Sequence, residues 1–101
     1  MALIKDEDVQ LVRERVRIDE VVEQYVTLKN AGGGARKGLC PFHDEKSPSF
    51  TVRPAQGFYH CFGCGVGGDS IKFLREIEGL SFAEAVERLA AKYGLALRYE
   101  D

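Results

Sequence analysis

The chain has 101 residues, of which 45% are hydrophobic and 30% charged, and its formal net charge is −2. This length predicts one domain over residues 1–101, without room for a second core. There is no apolar run of about 20 residues, as a membrane span requires, and no signal peptide, so we expect a cytoplasmic protein without a membrane partner. Thiols stay reduced there, and the three cysteines, an odd number, indicate metal binding rather than disulfides.

The first predicted elements are helical and cover residues 6–25. Val9, Val12 and Val16 share one helical face, and a second apolar cluster follows them. The periodicity slips near Asp19, which predicts two short helices, with Asp19 or a neighbour capping the second.

Two β-hairpins are predicted next, within residues 26–68. The strands and turns follow in chain order: strand 26–30, glycine-rich turn 31–35, strand 36–39, strand 50–53, turn 54–57 and strand 58–61. The strand over residues 50–53 alternates apolar and polar side chains, as a half-buried strand does.

Two further helices are predicted over residues 69–93, each with a capping signal at its start and a glycine at its end. The boundary signals are Asp69 and Gly79 for the first helix, and the Ser81–Glu84 capping box and Gly94 for the second. Residues 95–99 could add a last strand.

Two residue pairs have the spacing of metal ligands. Cys40 and His43, like Cys61 and Cys64, are each separated by two residues, and the 17 residues between the pairs suffice for a hairpin that brings them together. Three thiolates and one imidazole form the closed tetrahedral set of one structural Zn²⁺. The predicted fold class is therefore α+β: a small antiparallel β-sheet zinc ribbon, residues 26–68, flanked by short N-terminal and C-terminal helices.

Other chemistry for these residues stays open at this point. A Cys-x-x-Cys pair can be a redox motif, but that motif lies directly between a strand and a helix, whereas glycine-rich residues 65–68 intervene here. An iron site and a Cys–His nucleophile are further alternatives. A nucleophile leaves the second pair unexplained.

Basic and aromatic residues are interleaved around the metal ligands. Residues 29–60 contain five basic and two acidic residues, and cations beside aromatic faces are typical of single-stranded nucleic-acid sites. The candidate nucleic-acid-binding residues are Lys29, Arg36, Lys37, Lys46, Arg53, Phe58, Tyr59 and His60. The alternative is that Phe58 belongs to the core, that His60 has no role, and that the cations only keep the surface soluble.

The metal-binding segments resemble a known signature. Residues 38–50, which read GLCPFHDEKSPSF, and residues 58–65, which read FYHCFGCG, closely resemble the zinc ribbon of bacterial-type DNA primases. Residues 15–22 and 78–86 are similar to the helical segments on either side of that ribbon. One departure is Ala35 and Arg36, which stand where the family has an aromatic residue.

The resemblance implies a function. It implies that Cys40, His43, Cys61 and Cys64 bind zinc, and that the sheet engages single-stranded DNA template where synthesis of RNA primers starts. It assigns the chain to an enzyme of the replication fork whose Mg²⁺-dependent polymerase domain, in cis or in trans, lies elsewhere, and whose parent protein binds the replicative helicase. No catalytic residue is expected in these 101 residues.

Two alternative functions remain. The chain could be a stand-alone zinc ribbon that binds nucleic acid without polymerase activity. It could also be a zinc ribbon that binds only protein.

Overall fold

A computed structural model describes residues 3–44 and 46–100; residues 1, 2, 45 and 101 lie outside this description, among them Glu45, one of the two acids counted above. The elements in chain order are β1 (Leu3–Ile4), α1 (Asp6–Arg15), α2 (Ile18–Glu23), β2 (Lys29–Asn30), β3 (Arg36–Gly38), β4 (Phe50–Arg53), β5 (Phe58–Cys61), β6 (Gly67–Asp69), α3 (Ser70–Glu78), α4 (Phe82–Lys92) and β7 (Tyr99–Glu100). An antiparallel sheet has the order β2-β3-β4-β5-β6, and a second sheet pairs β1 with β7. The predicted α+β class is confirmed.

The N-terminal segment forms two helices, as its broken periodicity predicts. The chain is extended at Val16 and Arg17, which separates α1 from α2. The prediction that Asp19 or a neighbour caps α2 through its side chain is wrong, because Arg17 occupies the cap without a side-chain hydrogen bond. Asp19 lies inside the first turn, buried, where Arg36 approaches its carboxylate.

The strand register divides the five-stranded sheet into two faces. Directly paired residues point to the same face, and successive residues to opposite faces. The face that we call the outer face carries Lys29, Lys37, Thr51, Arg53, Phe58 and His60. The inner face carries mostly apolar residues: Arg36, Phe50, Val52, Tyr59 and Cys61.

An aromatic cluster joins the inner face to α3. The rings of Phe50 and Tyr59 stack with their centroids 5.3 Å apart, and Phe73 meets Tyr59 edge-on at 5.4 Å. Phe42, between the first two ligands, lies 5.7 Å from Phe73. Aromatic pairs at such distances contribute about 0.5–1.5 kcal/mol beyond burial alone. The ligand-bearing loop is thus packed against the core of the protein.

The helix boundaries agree with the capping signals. The Asp69 carboxylate accepts a hydrogen bond from the Lys72 N–H at 2.9 Å, and Ser81 and Glu84 form both bonds of a capping box. Gly79 ends α3 in the left-handed conformation, at φ 67°. These caps fix the direction of α3 as it leaves the sheet.

Three features of the two sheets differ from expectation. Strand β6 was not predicted, since glycines have low strand propensity; a Cβ at Gly67 would stand 2.9 Å from the Tyr59 carbonyl oxygen, so only glycine can pair this closely. The last strand is Tyr99–Glu100, whereas residues 95–99 were predicted, and it pairs with β1, which was not predicted. Strand β4 is buried more fully than a half-buried strand, because Thr51 is also buried.

Among the described residues, no helix is long and apolar enough to cross a membrane.

Candidate metal centre

The two predicted ligand pairs converge at one end of the sheet. One ligand atom from each of Cys40, His43, Cys61 and Cys64 can be chosen so that all four lie within 4.8 Å of one another. The Cys40 and Cys64 sulfurs are 3.9 Å apart, and the Cys61 sulfur is 4.0 Å from His43 Nδ1. Cys61 is fully buried, whereas Cys64 is exposed.

This geometry fits a tetrahedral zinc ion. With Zn–S distances of about 2.3 Å, two sulfurs at corners of a tetrahedron lie about 3.8 Å apart, and a sulfur and an imidazole nitrogen lie slightly closer. The separation of Cys40 and Cys64 agrees with this value and far exceeds the S–S bond of about 2.05 Å in a disulfide. Four protein ligands leave no coordination position for water or substrate, which is the arrangement of a structural zinc site.

Strand β5 and the turn after it position the second ligand pair. Cys61 is the last residue of β5, and its carbonyl oxygen accepts a hydrogen bond from the Gly65 N–H at 2.8 Å. The Cys61 N–H donates to Val66 at 2.8 Å, which closes the turn around Cys64. The Phe62 N–H donates to the Ser49 carbonyl at 3.0 Å and so ties this turn to the segment that carries the first pair.

Two glycines serve the turn for different reasons. Gly65 adopts φ 81°, a conformation that L-residues rarely adopt. Gly63 has no positive φ, but a Cβ there would stand 2.9 Å from both His43 Nε2 and Ser49 Oγ. The need for glycine at position 63 is therefore one of space beside the imidazole ligand.

The protein surroundings affect the cysteine thiols differently. Burial raises the pKa of Cys40 to about 12, and a bound cation would favour the loss of its proton. Burial also acts to raise the pKa of Cys61, yet that pKa is lowered to about 7 because the Ser49 hydroxyl and the N–H groups of Cys64 and Gly63 donate hydrogen bonds to the sulfur. These donors would also orient the Cys61 thiolate on bound zinc.

The predicted nucleic-acid-binding residues do not form one surface. Lys29, Lys37, Arg53, Phe58 and His60 lie on the outer face, and Lys46 is exposed in the loop before β4. The prediction that Tyr59 belongs with them is wrong, because Tyr59 is 1% exposed and packs in the inner aromatic cluster. The alternative that places Phe58 in the core is also wrong, since 40% of Phe58 is exposed.

Arg36 is the second residue that does not belong to the exposed set. Its guanidinium makes an ion pair with Glu23 and approaches Asp19 at 3.7 Å. It also donates to the Leu28 carbonyl at 3.3 Å. Arg36 is therefore a structural cation of the inner face and cannot serve as a free partner for phosphate.

One exposed aromatic residue was missed. Phe62 is 72% exposed, and its ring lies 4.7 Å from that of His60, edge-on. Two-residue alternation along the strand from Phe58 through His60 reaches Phe62 next. That alternation was the signal that could have identified it.

Comparison with known proteins agrees with the metal centre. The chain matches the CHC2 zinc-finger family, the zinc ribbon of DnaG type, over residues 4–101. It is 63% identical over 98 residues to a DNA primase of Streptomyces coelicolor, covering 97% of this chain and 15% of that protein. It is 52% identical over 95 residues to a DNA primase of Thermotoga maritima, covering 94% of this chain and 17% of that protein.

A solved structure supports the same assignment. The chain is similar to a crystal structure of the Aquifex aeolicus primase that contains its zinc-binding and RNA polymerase domains, with a TM-score of 0.84 and 41% identity. The match covers 90% of this chain and 22% of that one. The resemblance noted in the sequence is thus confirmed, and the chain belongs to the CHC2 zinc-finger family, the zinc ribbon of DnaG-type primases.

Proposed function

We propose that this chain is the template-holding zinc module of a DNA primase, an enzyme that joins ribonucleotides into short RNA primers on single-stranded DNA. Relatives that carry this ribbon are named DNA primases, and this chain spans 15–17% of the length of the two described above. In this proposal the polymerase domain, in cis or in trans, holds the Mg²⁺ and joins the nucleotides. The parent protein works in the cytoplasm at the replication fork and meets the replicative helicase there.

The observation that carries the proposal is a row of rings on the outer face. Phe58 and His60 alternate along β5, about 6.6 Å apart along the strand, and Phe62 follows in the turn after β5, where its ring lies 4.7 Å from that of His60. Two of them are 40% and 72% exposed, unusual for phenylalanine. Bases of single-stranded nucleic acid stack on such rings, each contributing about 1–3 kcal/mol.

Cations flank this row on the same face. Arg53 pairs directly with Phe58 across β4 and β5, and Lys37 lies two strands from His60 in the same register row. Cations of this kind hold the phosphates of a strand whose bases stack on the rings, without selecting its sequence.

Zinc contributes by making this row rigid. Inward side chains alternate with the outward rings along β5, and Cys61 is a metal ligand between His60 and Phe62. Fixing Cys61 and Cys64 therefore fixes the direction of both neighbouring rings. A preorganised surface loses less conformational entropy on binding.

The direct test is binding of single-stranded DNA to alanine variants of the row. Phe58→Ala and Phe62→Ala should each weaken binding by about 5- to 150-fold, the equivalent of one lost stack. Phe82→Ala is the matched control, because Phe82 is 38% exposed but lies on α4. Equal losses in Phe82→Ala and the row variants would refute the assignment of this face. Retained zinc content shows that the variants are folded.

A second test concerns the whole enzyme. The Streptomyces coelicolor primase without the residues that match this chain should make few primers, and adding this chain in excess should restore part of the synthesis, because a tethered domain acts through effective concentration. Absence of rescue despite zinc-loaded protein and measured DNA binding would indicate a stand-alone nucleic-acid-binding ribbon. Absence of both DNA binding and rescue would indicate a ribbon that binds only protein.

A further inference from the structure

A pocket of about 300 Å³ opens at the edge of the sheet beside β2 and β3. Its lining includes three lysines, Lys29, Lys37 and Lys46, together with the apolar side chains of Leu39 and Pro48. Leu39 is 49% exposed. The pocket thus combines a concentration of positive charge with a small apolar wall.

Two of the lysines face each other across the hairpin. Lys29 and Lys37 are direct partners in the antiparallel register of β2 and β3. Like charges in directly opposed positions destabilise a sheet. Folding stability alone does not favour two lysines here, whereas an anion held between them would offset the repulsion.

The cations of this region differ in whether they are paired with an acid. Arg36, adjacent to Lys37, is neutralised by Glu23 and lies near Asp19. In the part of the chain that the structure describes, Lys29, Lys37 and Lys46 have neither an ion pair nor a side-chain hydrogen bond. Among residues 3–44 and 46–100, the acids of α2 therefore compensate the inner cation, and no acid is paired with the three pocket lysines.

The floor of the pocket depends on one glycine. A Cβ at Gly38 would stand 2.5 Å from the Thr27 carbonyl oxygen and 2.7 Å from a Val26 methyl group. Because Gly38 has no side chain, the segment before β2 crosses directly against β3, and Arg36 holds it there through the Leu28 carbonyl. The lysines are thus presented by a fixed backbone.

We infer that this pocket binds the phosphate chain of a nucleoside triphosphate, either a free nucleotide or the 5′-triphosphate end of an RNA. A triphosphate places several negative charges within one short chain, which matches three ammonium groups around a single cavity. The successive phosphodiesters of a DNA strand carry one charge each and lie further apart. Leu39 and Pro48 offer an apolar surface to the sugar or base. The inference rests on the proposed function, because an RNA-priming enzyme works with such groups.

The test compares Mg²⁺ complexes of three probes with the zinc-loaded chain: ATP, AMP and inorganic tripolyphosphate. Excess Mg²⁺ prevents the phosphate chain from extracting the structural zinc. NMR shifts should change at the pocket residues with ATP and tripolyphosphate, and much less with AMP. The variant that combines Lys29→Gln, Lys37→Gln and Lys46→Gln should bind ATP about tenfold more weakly. Arg15→Gln, Arg75→Gln and Lys92→Gln, combined on the helices, give the same net charge as a control.

A second arm uses two RNAs of one sequence, with a 5′-triphosphate or a 5′-hydroxyl. The triphosphate should bind more tightly to the native chain and equally to the pocket variant. Equal binding of both RNAs by the native chain, or equal losses of ATP binding in both triple variants, would overturn the inference. Single-stranded DNA with a 5′-hydroxyl, bound through Phe58 and Phe62, separates the two proposals. If such DNA binds while ATP does not, the pocket inference fails and the proposed function stands. If ATP binds while such DNA does not, the pocket inference stands and the proposed DNA-binding function fails.

Discussion

The Asp8 carboxylate accepts hydrogen bonds from Arg98, a residue 90 positions later in the chain. The Arg98 backbone N–H donates to Asp8 Oδ2 at 2.6 Å, and the guanidinium donates to Oδ1 at 2.9 Å. Asp8 is buried in the first turn of α1, where the helix dipole also favours its negative charge. This pair fastens the C-terminal segment to the first helix, beside the sheet of β1 and β7.

The first prediction concerns the pH dependence of this contact. The side-chain and backbone hydrogen bonds from Arg98 lower the pKa of Asp8. Its stabilising contribution is therefore complete above the unfolded-state pKa of about 3.9 and disappears as the pH falls through the lower folded-state pKa. Asp8→Asn should lower the melting temperature at pH 7, and the difference from the native chain should shrink below about pH 4.

Asp6→Asn is the control for this prediction. Asp6 lies in the same turn and loses the same charge near the helix N-terminus, but it is exposed and makes no bond to Arg98. A fall in melting temperature for Asp6→Asn as large as that for Asp8→Asn would mean that the helix dipole, not the Arg98 contact, accounts for the stabilising effect of Asp8.

The second prediction concerns zinc. Structural zinc contributes about 10–16 kcal/mol of apparent binding free energy in small domains, which equals or exceeds typical domain stability. Cys64→Ala should therefore unfold the ribbon, and since Cys64 is exposed, lost core packing cannot account for the effect. Phe73 packs on Phe42 and Tyr59, so α3 should loosen as well.

Native mass spectrometry and NMR spectra check this prediction. The native chain should carry one zinc, and a chelator should collapse the dispersion of its amide resonances. Ser47→Ala, at an exposed position near the site, should change neither. A folded ribbon after complete removal of zinc would show that the four ligands are not needed for the fold.

The third prediction tests the space beside His43. Gly63→Ala places a methyl group 2.9 Å from the imidazole and from the Ser49 hydroxyl, so the ligand must shift. Such overpacking costs about 1–3 kcal/mol, and zinc affinity measured by chelator competition should fall by about 5- to 150-fold. Gly34→Ala strains the turn between β2 and β3, at φ 79°, but a Cβ there would meet nothing within 4 Å, so zinc affinity should stay unchanged. Similar affinities in the two variants would contradict the steric argument.

The fourth prediction concerns Tyr59. Its hydroxyl is buried and, among the described residues, has no hydrogen-bond partner. Tyr59→Phe keeps the ring contacts and removes an unsatisfied polar group, so stability should stay equal or rise by about 1 kcal/mol. DNA binding should not change, in contrast to Phe58→Ala. Urea unfolding and DNA titration of the same variant measure both; weaker DNA binding by Tyr59→Phe would place this residue in the interface after all.

The fifth prediction distinguishes an arginine of the outer face from an arginine of the inner face. Arg53→Gln should reduce the salt dependence of single-stranded DNA binding by about 0.7 in the slope, as the loss of one phosphate contact does, with little change in stability. Arg36→Gln should lower the free energy of unfolding, because Glu23 and Asp19 lose their partner, and should leave the slope unchanged. The reverse pattern would mean that the faces have been assigned incorrectly.

The metal ligands were predictable because their spacing is a local property of the chain. Two residues between the members of each pair, and a hairpin between the pairs, determine that Cys61 and Cys64 meet Cys40 and His43. The helix caps were predictable for the same reason, since Asp69 bonds to a backbone group three residues away. Features that depend on residues a few positions apart can be predicted from the sequence alone.

The binding face required more than residue type. Phe58, Tyr59 and His60 are consecutive, so their aromatic character suggested one surface, whereas strand alternation sends Tyr59 inward. The partner of Arg36 is Glu23 on α2, and no local pattern relates the two residues. Strand β6 was hidden because its pairing depends on close backbone approach by Gly67 rather than on any side chain.

The sheet of β1 and β7 gives the molecule a mechanical weak point. Leu3 is paired with Glu100 and Ile4 with Tyr99, so a force that pulls residues 3 and 100 apart acts on one backbone pair at a time, as in opening a zipper. The Asp8–Arg98 contact, in the first turn of α1, would resist next. Under a gentle stretch, the ends should therefore peel away while the zinc-bound sheet keeps its shape.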